Sequence, residues 1–137
     1  MNVLIDTNVV LDAGLNRHPH NIFAEKILLF ISEEKLNGFI TANQVTDIFY
    51  FLKKYYRDSE KAKHVLIDFF NILDIIEVTK GDCERAVSLP MEDYEDALLA
   101  TCAKRKKLEL IITRNLKDFV DSPVKAINPE AFLTEYF

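Results

Sequence analysis

The chain opens Asn2-Val3-Leu4-Ile5-Asp6-Thr7-Asn8, and this short run decides how the rest is read. Val3–Ile5 is uninterrupted apolar sequence, as in a strand buried on both faces, and Asp6 places a carboxylate directly after it. In an open α/β sheet, the carboxyl edge of the strands is where ligands and reacting groups gather. A carboxylate in that position is partly desolvated and needs a partner. Acid and amide residues recur at later strand ends and helix starts: Asp47, Asp93, Asp96, Asn115 and Asp118.

Working outward, residues 21–36 predict a helix stopped near Asn37–Gly38, and Phe39–Thr41 a second strand. From Asn43, the residues Val45, Ile48, Phe49 and Leu52 fall at i, i+3, i+4 and i+7, a helical stripe. Ser59 opens another helix carrying Val65, Leu66, Phe69 and Phe70. Ile75–Val78 predicts a third strand, and Thr79 with Asp82 has capping-box spacing at the head of a short helix ending before Pro90. Asp93 and Asp96 repeat that spacing at the head of a helix running to about Lys106. Leu110–Thr113 predicts a fourth strand, followed by the turn Arg114–Asn115. Val124–Ile127 predicts a last strand, and Pro129 the first residue of a terminal helix.

Strands alternating with helices specify an α/β fold, here one domain over residues 1–137, with a mainly parallel sheet of four to five strands and helices on both faces. Right-handed crossovers bring each returning helix's amino end near the strands' carboxyl ends. Asp47, Asp93 and Asp96 are expected in first turns of helices, and topology then carries them to the edge that holds Asp6 and Asn115.

The formal charge of −5, from 17 basic and 22 acidic residues, excludes a protein that grips nucleic acid by bulk charge. Cys83 and Cys102 lack any zinc-ligand spacing and are expected as two buried thiols in a reducing compartment. Asp6 interrupts the first apolar run, so no leader is expected. The longest apolar run, Ile27–Ile31, is too short to span a bilayer. A soluble, cytoplasmic protein with no membrane partner is the expectation.

Each acid alone has a structural explanation. Asp93 and Asp96 would serve as N-cap and N3 partner, Asp47 would be a solvated acid opposite the apolar stripe of its helix, and Asp118 would cap a short helix after the turn. Together these readings are strained, because carboxylates about 5 Å apart repel by roughly 3 kcal/mol per pair at an effective dielectric near 20. Several at one sheet edge must take up protons or hold a cation. An all-oxygen set selects Mg²⁺ or Mn²⁺, ions that lower the pKa of a bound water and neutralise a displaced phosphate. The residues therefore point to a divalent-metal phosphodiesterase.

Three stretches carry a family resemblance: NVLIDTNVVLD (2–12), TANQVTDIF (41–49) and EDYEDALLATCAKRKKLELIITRNLKDF (92–119). In this order they resemble the PIN domain, most closely the small bacterial PIN proteins, many of which are ribonuclease toxins of VapBC-type toxin–antitoxin pairs. The resemblance implies a three-layer α/β/α sandwich and a Mg²⁺- or Mn²⁺-dependent endoribonuclease on single-stranded RNA, with an antitoxin as partner. It implies Asp6 as the first metal acid, Asp96 as the third, and Asp47 in the second place, where the family more often has Glu. At the fourth place the family often has Asp in a TRD-like turn. This chain has Asn115, which keeps an oxygen but removes a charge that Asp93 or Asp118 would restore. Thr7, Asn8 and Thr113 are expected to orient the acids by hydrogen bonds. The two departures keep an alternative open, a catalytically weak or inactive PIN-like module that binds RNA or protein.

For substrate, Arg17 and His18 follow the first strand, Arg114 adjoins Asn115, and Tyr50 and Lys54 share the helix face of Asp47 at i+3 and i+7. The runs Lys53–Arg57 and Lys104–Lys107 read as solvated helix ends. The aromatic residues of 49–56 and 69–70 exceed what one face of a small domain needs, so a homodimer or partner surface is expected there. An aspartyl-phosphate enzyme of the haloacid dehalogenase type wants DxD, where this chain offers Asn8. A receiver domain would need an early acid pair and a well-placed later Asp. A P-loop enzyme is excluded by the lack of its Gly-rich loop.

Overall fold

A computed structural model describes residues 1–137. The elements run β1 (Asn2–Ile5), α1 (Thr7–Gly14), α2 (His20–Ser32), β2 (Asn37–Thr41), α3 (Ala42–Tyr56), α4 (Ser59–Phe70), β3 (Asp74–Ile76), α5 (Lys80–Val87), α6 (Tyr94–Arg105) and β4 (Leu110–Ile112). A 3₁₀ turn (Leu116–Phe119), β5 (Ala126–Ile127) and α7 (Pro129–Tyr136) complete the chain. The five strands lie in the order β3-β2-β1-β4-β5, and every neighbouring pair is parallel.

Alternation along the central strands divides the core into two. Val3, Ile5, Leu110 and Ile112 point to one face, where they meet α1, α2, α3, α4 and α7. Leu4 and Ile111 point to the other, against α5, α6 and the 3₁₀ turn. Burial on both faces is why these strands are continuously apolar. Each such Leu or Ile, fully removed from water, contributes about 2 kcal/mol. The result is an α/β/α sandwich. No helix is long and apolar enough to cross a membrane.

The structure adds an element that the pattern did not predict. Residues after Asp6 form α1, in which Val9, Val10, Leu11 and Asp12 are all buried. A helix packed on several sides shows no apolar periodicity, and its β-branched residues look strand-like. Three inter-strand segments therefore hold a pair of helices each. α2 stops at Ser32, short of the expected residue 36, and the turn through Glu34 (φ 60°) delivers Leu36 to the core. β2 starts earlier than expected, at Asn37. It packs so tightly that a Cβ on Gly38 would run into Ile31 and Leu73. β3 and β5 are shorter than expected, and Asp47 is the sixth residue of α3, beyond its first turn.

Two further expectations are corrected. Cys83 is exposed, and only Cys102 is buried. Arg105 is no solvated helix end. It binds fully buried Asp82 through Nε (2.8 Å) and Nη2 (2.9 Å), and the Glu77 carbonyl through Nη2 (2.7 Å). Asp82 also completes the expected capping box with Thr79. Burial alone would raise the Asp82 carboxyl. Arg105, the Thr79 N–H and hydroxyl, and Arg85 together hold it far below the usual carboxylate range. Cys102, buried and facing Asp82, has its thiol pushed up to about 12, so it is unreactive as a nucleophile.

Candidate active site

The strand order changes direction between β1 and β4, the place where an open parallel sheet leaves a crevice. Asp6 stands at that point. Its N–H donates to the Ile112 carbonyl (3.0 Å), which fixes its backbone to β4. Its Oδ1 accepts the Thr7 N–H (2.8 Å), capping α1, and its Oδ2 accepts the Thr113 hydroxyl (2.7 Å). The same hydroxyl accepts the Asn115 N–H (3.0 Å), so the turn after β4 is tied to Asp6 through one threonine. Burial raises the Asp6 carboxyl, with Thr113, Thr7 and Arg114 opposing the shift and Asp118 adding to it.

α3 is brought to the same edge by Gln44. This buried side chain accepts the Thr41 N–H (2.7 Å) through Oε1, and its amide donates to the Ile5 carbonyl (2.9 Å) and the Thr7 hydroxyl (3.2 Å). One turn on, Asp47 faces Glu95 of α6. Glu95 is raised by partial desolvation, then by the Asp47 carboxyl beside it and the charges of Asp93 and Asp6. Asp93 caps α6 by accepting the Asp96 N–H (3.0 Å). Asp96, half-buried, is pushed up to about 7 by burial and then by Asp93, Asp6, Asp118 and Glu95. A cleft of about 510 Å³ opens between the head of α6 and the 3₁₀ turn, with Asp93, Lys117 and Asp118 in its lining.

The fold thus brings Asp6, Asp47, Asp93, Asp96 and Asp118 into one electrostatic group. Asn115 joins it through backbone only. Thr113 orients Asp6 as expected, whereas Thr7 does so through its N–H and Asn8 bonds no acid. Asn8 instead accepts from Arg17 Nη1 (3.3 Å). Arg114 is held by buried Asp12, through Nε (2.7 Å) and Nη2 (3.1 Å), and Arg17 approaches the same carboxylate at 3.8 Å. Tyr50 is exposed on α3, one turn from Asp47, and Lys54 lies in the last turn of that helix. Three contributors escaped the sequence reading: Glu95, Gln44 and Asp12. Thr41 and Gln44 do carry a capping-box signal (Thr-x-x-Gln), and that pairing is formed. Nothing local links Asp12 to Arg114, 102 residues away.

Residues 2–117 match the sequence pattern of the PIN domain. The chain belongs to the PIN-domain family. This PIN domain is 27% identical over 135 residues to Ribonuclease VapC1 of Aquifex aeolicus (strain VF5), covering 95% of this chain and 92% of that protein. It superposes on a toxin–antitoxin complex from Klebsiella pneumoniae with a TM-score of 0.68 at 26% identity, covering 93% of this chain and 97% of the other. The fold is shared with DNA-bound VapBC from Salmonella typhimurium, with a TM-score of 0.71 at 19% identity, covering 94% and 98% of the two chains.

The ligand oxygens of this PIN domain are all carboxylate and amide, and Asp96 among them is pushed up to about 7 by burial and then by its acidic neighbours. Both properties fit a hard dication. No three Asp, Glu, His or Cys side chains close far enough to grip one ion directly. Mg²⁺ ordinarily takes one or two carboxylates and keeps several waters, so this spacing suits it better than it would zinc.

Proposed function

We propose that this protein is a Mg²⁺- or Mn²⁺-dependent endoribonuclease that hydrolyses phosphodiester bonds of single-stranded RNA, with residues 1–137 working as one PIN-like domain. The observation that carries the reading is the gathering of Asp6, Asp93, Glu95 and Asp118 around half-buried Asp96, which burial and then these carboxylates push up to about 7, with Asp47 of α3 facing Glu95. Asp6, Asp96 and Asp47 would hold the ion between them, in part through the waters it keeps, and Asp93, Asn115 and Asp118 would support it from the rim. Bound there, the ion supplies a nucleophile from water and neutralises charge on the displaced phosphate. Thr113 and the Thr7 N–H fix the direction of the Asp6 lone pairs, and Asn8 accepts a hydrogen bond from Arg17. Arg114, Arg17, Tyr50 and Lys54 would contact the strand, which supplies the cations and the exposed ring that a chain of net charge −5 lacks in bulk.

Likeness to Ribonuclease VapC1 and to a toxin–antitoxin complex supports a toxin role with an antitoxin partner, in the cytoplasm. Tyr50, Phe51 and Tyr55 of α3 and Ile67 and Phe70 of α4 are exposed, which supports a homodimer or partner surface. A sedimentation run showing only monomer at micromolar concentration would remove the dimer. The deciding experiment is RNA cleavage with Mn²⁺ by wild type, Asp6→Asn and Asp96→Asn. Both variants are expected to lose about 100-fold or more, the scale of one removed electrostatic stabiliser. Equal cleavage by all three marks contamination and favours an inactive binding module.

A further inference from the structure

We propose that the pocket beside Arg114 is a base-recognition subsite that takes one unpaired guanine of the RNA strand. The proposal rests on the endoribonuclease reading for its substrate, and on separate geometry for its site. A cavity of about 230 Å³ lies between the heads of α2 and α7, lined by His20, Phe23, Arg114, Asn128, Pro129 and Glu130. Sites for whole small ligands run about 300–1,000 Å³. This one suits a fragment of a longer ligand, as a single base is of a strand.

The Arg114 guanidinium is the fixed element. Asp12, fully buried, takes its Nε and one Nη2 proton, and these are its only protein hydrogen bonds. Of five donors in a rigid plane, the Nη1 pair and the second Nη2 proton stay free along the opposite edge. That edge is oriented before any ligand arrives, because the Asp12 clamp removes the side chain's freedom. The clamp also balances the charge, and Glu130 adds a carboxylate to the wall, so the pocket does not suit a phosphate.

What remains is a donor fork on one wall and an acceptor-only carboxylate on another. Guanine presents O6 and N7 as acceptors, the pair an arginine fork reads, and N1–H and N2–H₂ as donors for Glu130. Adenine would turn its N6 amino group on the Arg114 donors, and pyrimidines have no N7. Asn128 spends its Oδ1 on the Ala131 N–H (2.7 Å), which leaves its amide as one more donor. Phe23 supplies a ring for stacking, as unpaired RNA bases commonly find. Arg114 joins this pocket to the acids, since its charge acts on Asp6 and its neighbour in sequence is Asn115. A base held here fixes the register of the strand over the reacting centre.

The test sequences the cleavage ends produced by the full chain with Mn²⁺ on unstructured RNA of random sequence. Wild type, Glu130→Gln, Phe23→Leu and the inactive control Asp6→Asn are compared. The expected result is guanine enriched about tenfold or more at one fixed position from the broken bond, falling to about twofold or less in Glu130→Gln. The readout is the ratio of ends and is independent of the overall rate. Cleavage without base preference, or a guanine preference untouched by both pocket variants, overturns the proposal. If wild type cleaves no better than Asp6→Asn, the endoribonuclease reading fails, and the pocket is judged alone. Guanosine and adenosine 5′-monophosphates are then titrated into metal-free protein while the Phe23 and His20 rings are followed by NMR. Shifts with the guanosine form only sustain the guanine site, and equal or absent shifts overturn it.

Discussion

The Thr113 hydroxyl donates to Asp6 Oδ2 at 2.7 Å, across 107 positions of sequence. The two side chains are neighbours because Ile5 of β1 is in register with Ile112 of β4, so the residues that follow those strands emerge side by side. Thr113 is fully buried and also accepts the Asn115 N–H. One hydroxyl therefore sets both the carboxylate and the turn beyond it.

Replacing it tests that arrangement. Thr113→Val keeps the shape and removes a hydrogen bond that favours ionised Asp6. A hydrogen bond to a charged group contributes about 1.5–3 kcal/mol, so cleavage of RNA is expected to fall about tenfold or more. Asp6 would ionise at higher pH, moving the acid limb of the pH–rate profile upward. An unchanged profile would show that Thr113 has no hold on the ionisation of Asp6.

Asp96 is expected to cost stability for the sake of function. An acid whose folded pKa lies above its unfolded value of about 4 weakens the fold as pH rises past that point, and the loss is complete above the folded value. With Asp96 at about 7, the metal-free protein should lose stability between these limits. Asp96→Asn escapes this, and should be more stable at pH 8 by about 1 kcal/mol after allowing for solvent screening, yet equal to wild type below about pH 4. Urea midpoints at both values check the sign. Mn²⁺ binding should also release protons from wild type near pH 6.5, and fewer from the variant, as calorimetry in two buffers would read.

Asp82 is expected to behave in the opposite sense. Its folded value is depressed, so its contribution is present above the unfolded pKa of about 4 and is lost as pH falls towards the folded one. Asp82→Asn leaves Arg105 without its main partner and should cost about 3 kcal/mol at neutral pH. The gap to wild type should narrow as denaturation is measured below about pH 4. A gap that stays constant with pH would mean that packing, not charge, holds this corner.

Asp12→Ala removes the carboxylate that holds Arg114 and Arg17. The buried side of that network should cost about 3 kcal/mol by urea denaturation. Because Arg114 is 30% exposed, its guanidinium can turn to water once released. Cleavage by the remaining folded protein should then fall with a raised KM, since the cation proposed to contact the strand has lost its fixed direction. An unaltered KM would place Asp12 in stability alone.

The linear pattern carried much of this site because the acids mark their elements locally. Asp6 ends an apolar run, Asp93 and Asp96 have cap spacing, and Asn115 and Asp118 follow the last central strand. Glu95 was hidden between two more conspicuous acids, and its importance comes from Asp47 on another helix. α1 was invisible for a related reason. A helix enclosed on several sides has no polar stripe to give it away.

By itself, the order of residues settled the class of fold, and it marked most of the acids that the folded chain brings near one another. Those conclusions depend on apolar runs, caps and turn residues, which act over a few positions and so are written locally. Only the folded chain decided which cations are free and which are spoken for. Arg114 is clamped by Asp12 and Arg105 by Asp82, partners 102 and 23 residues distant. Such pairings are fixed by burial, which withdraws a carboxylate from water and obliges it to find a cation, and burial belongs to the packed molecule and not to any stretch of it.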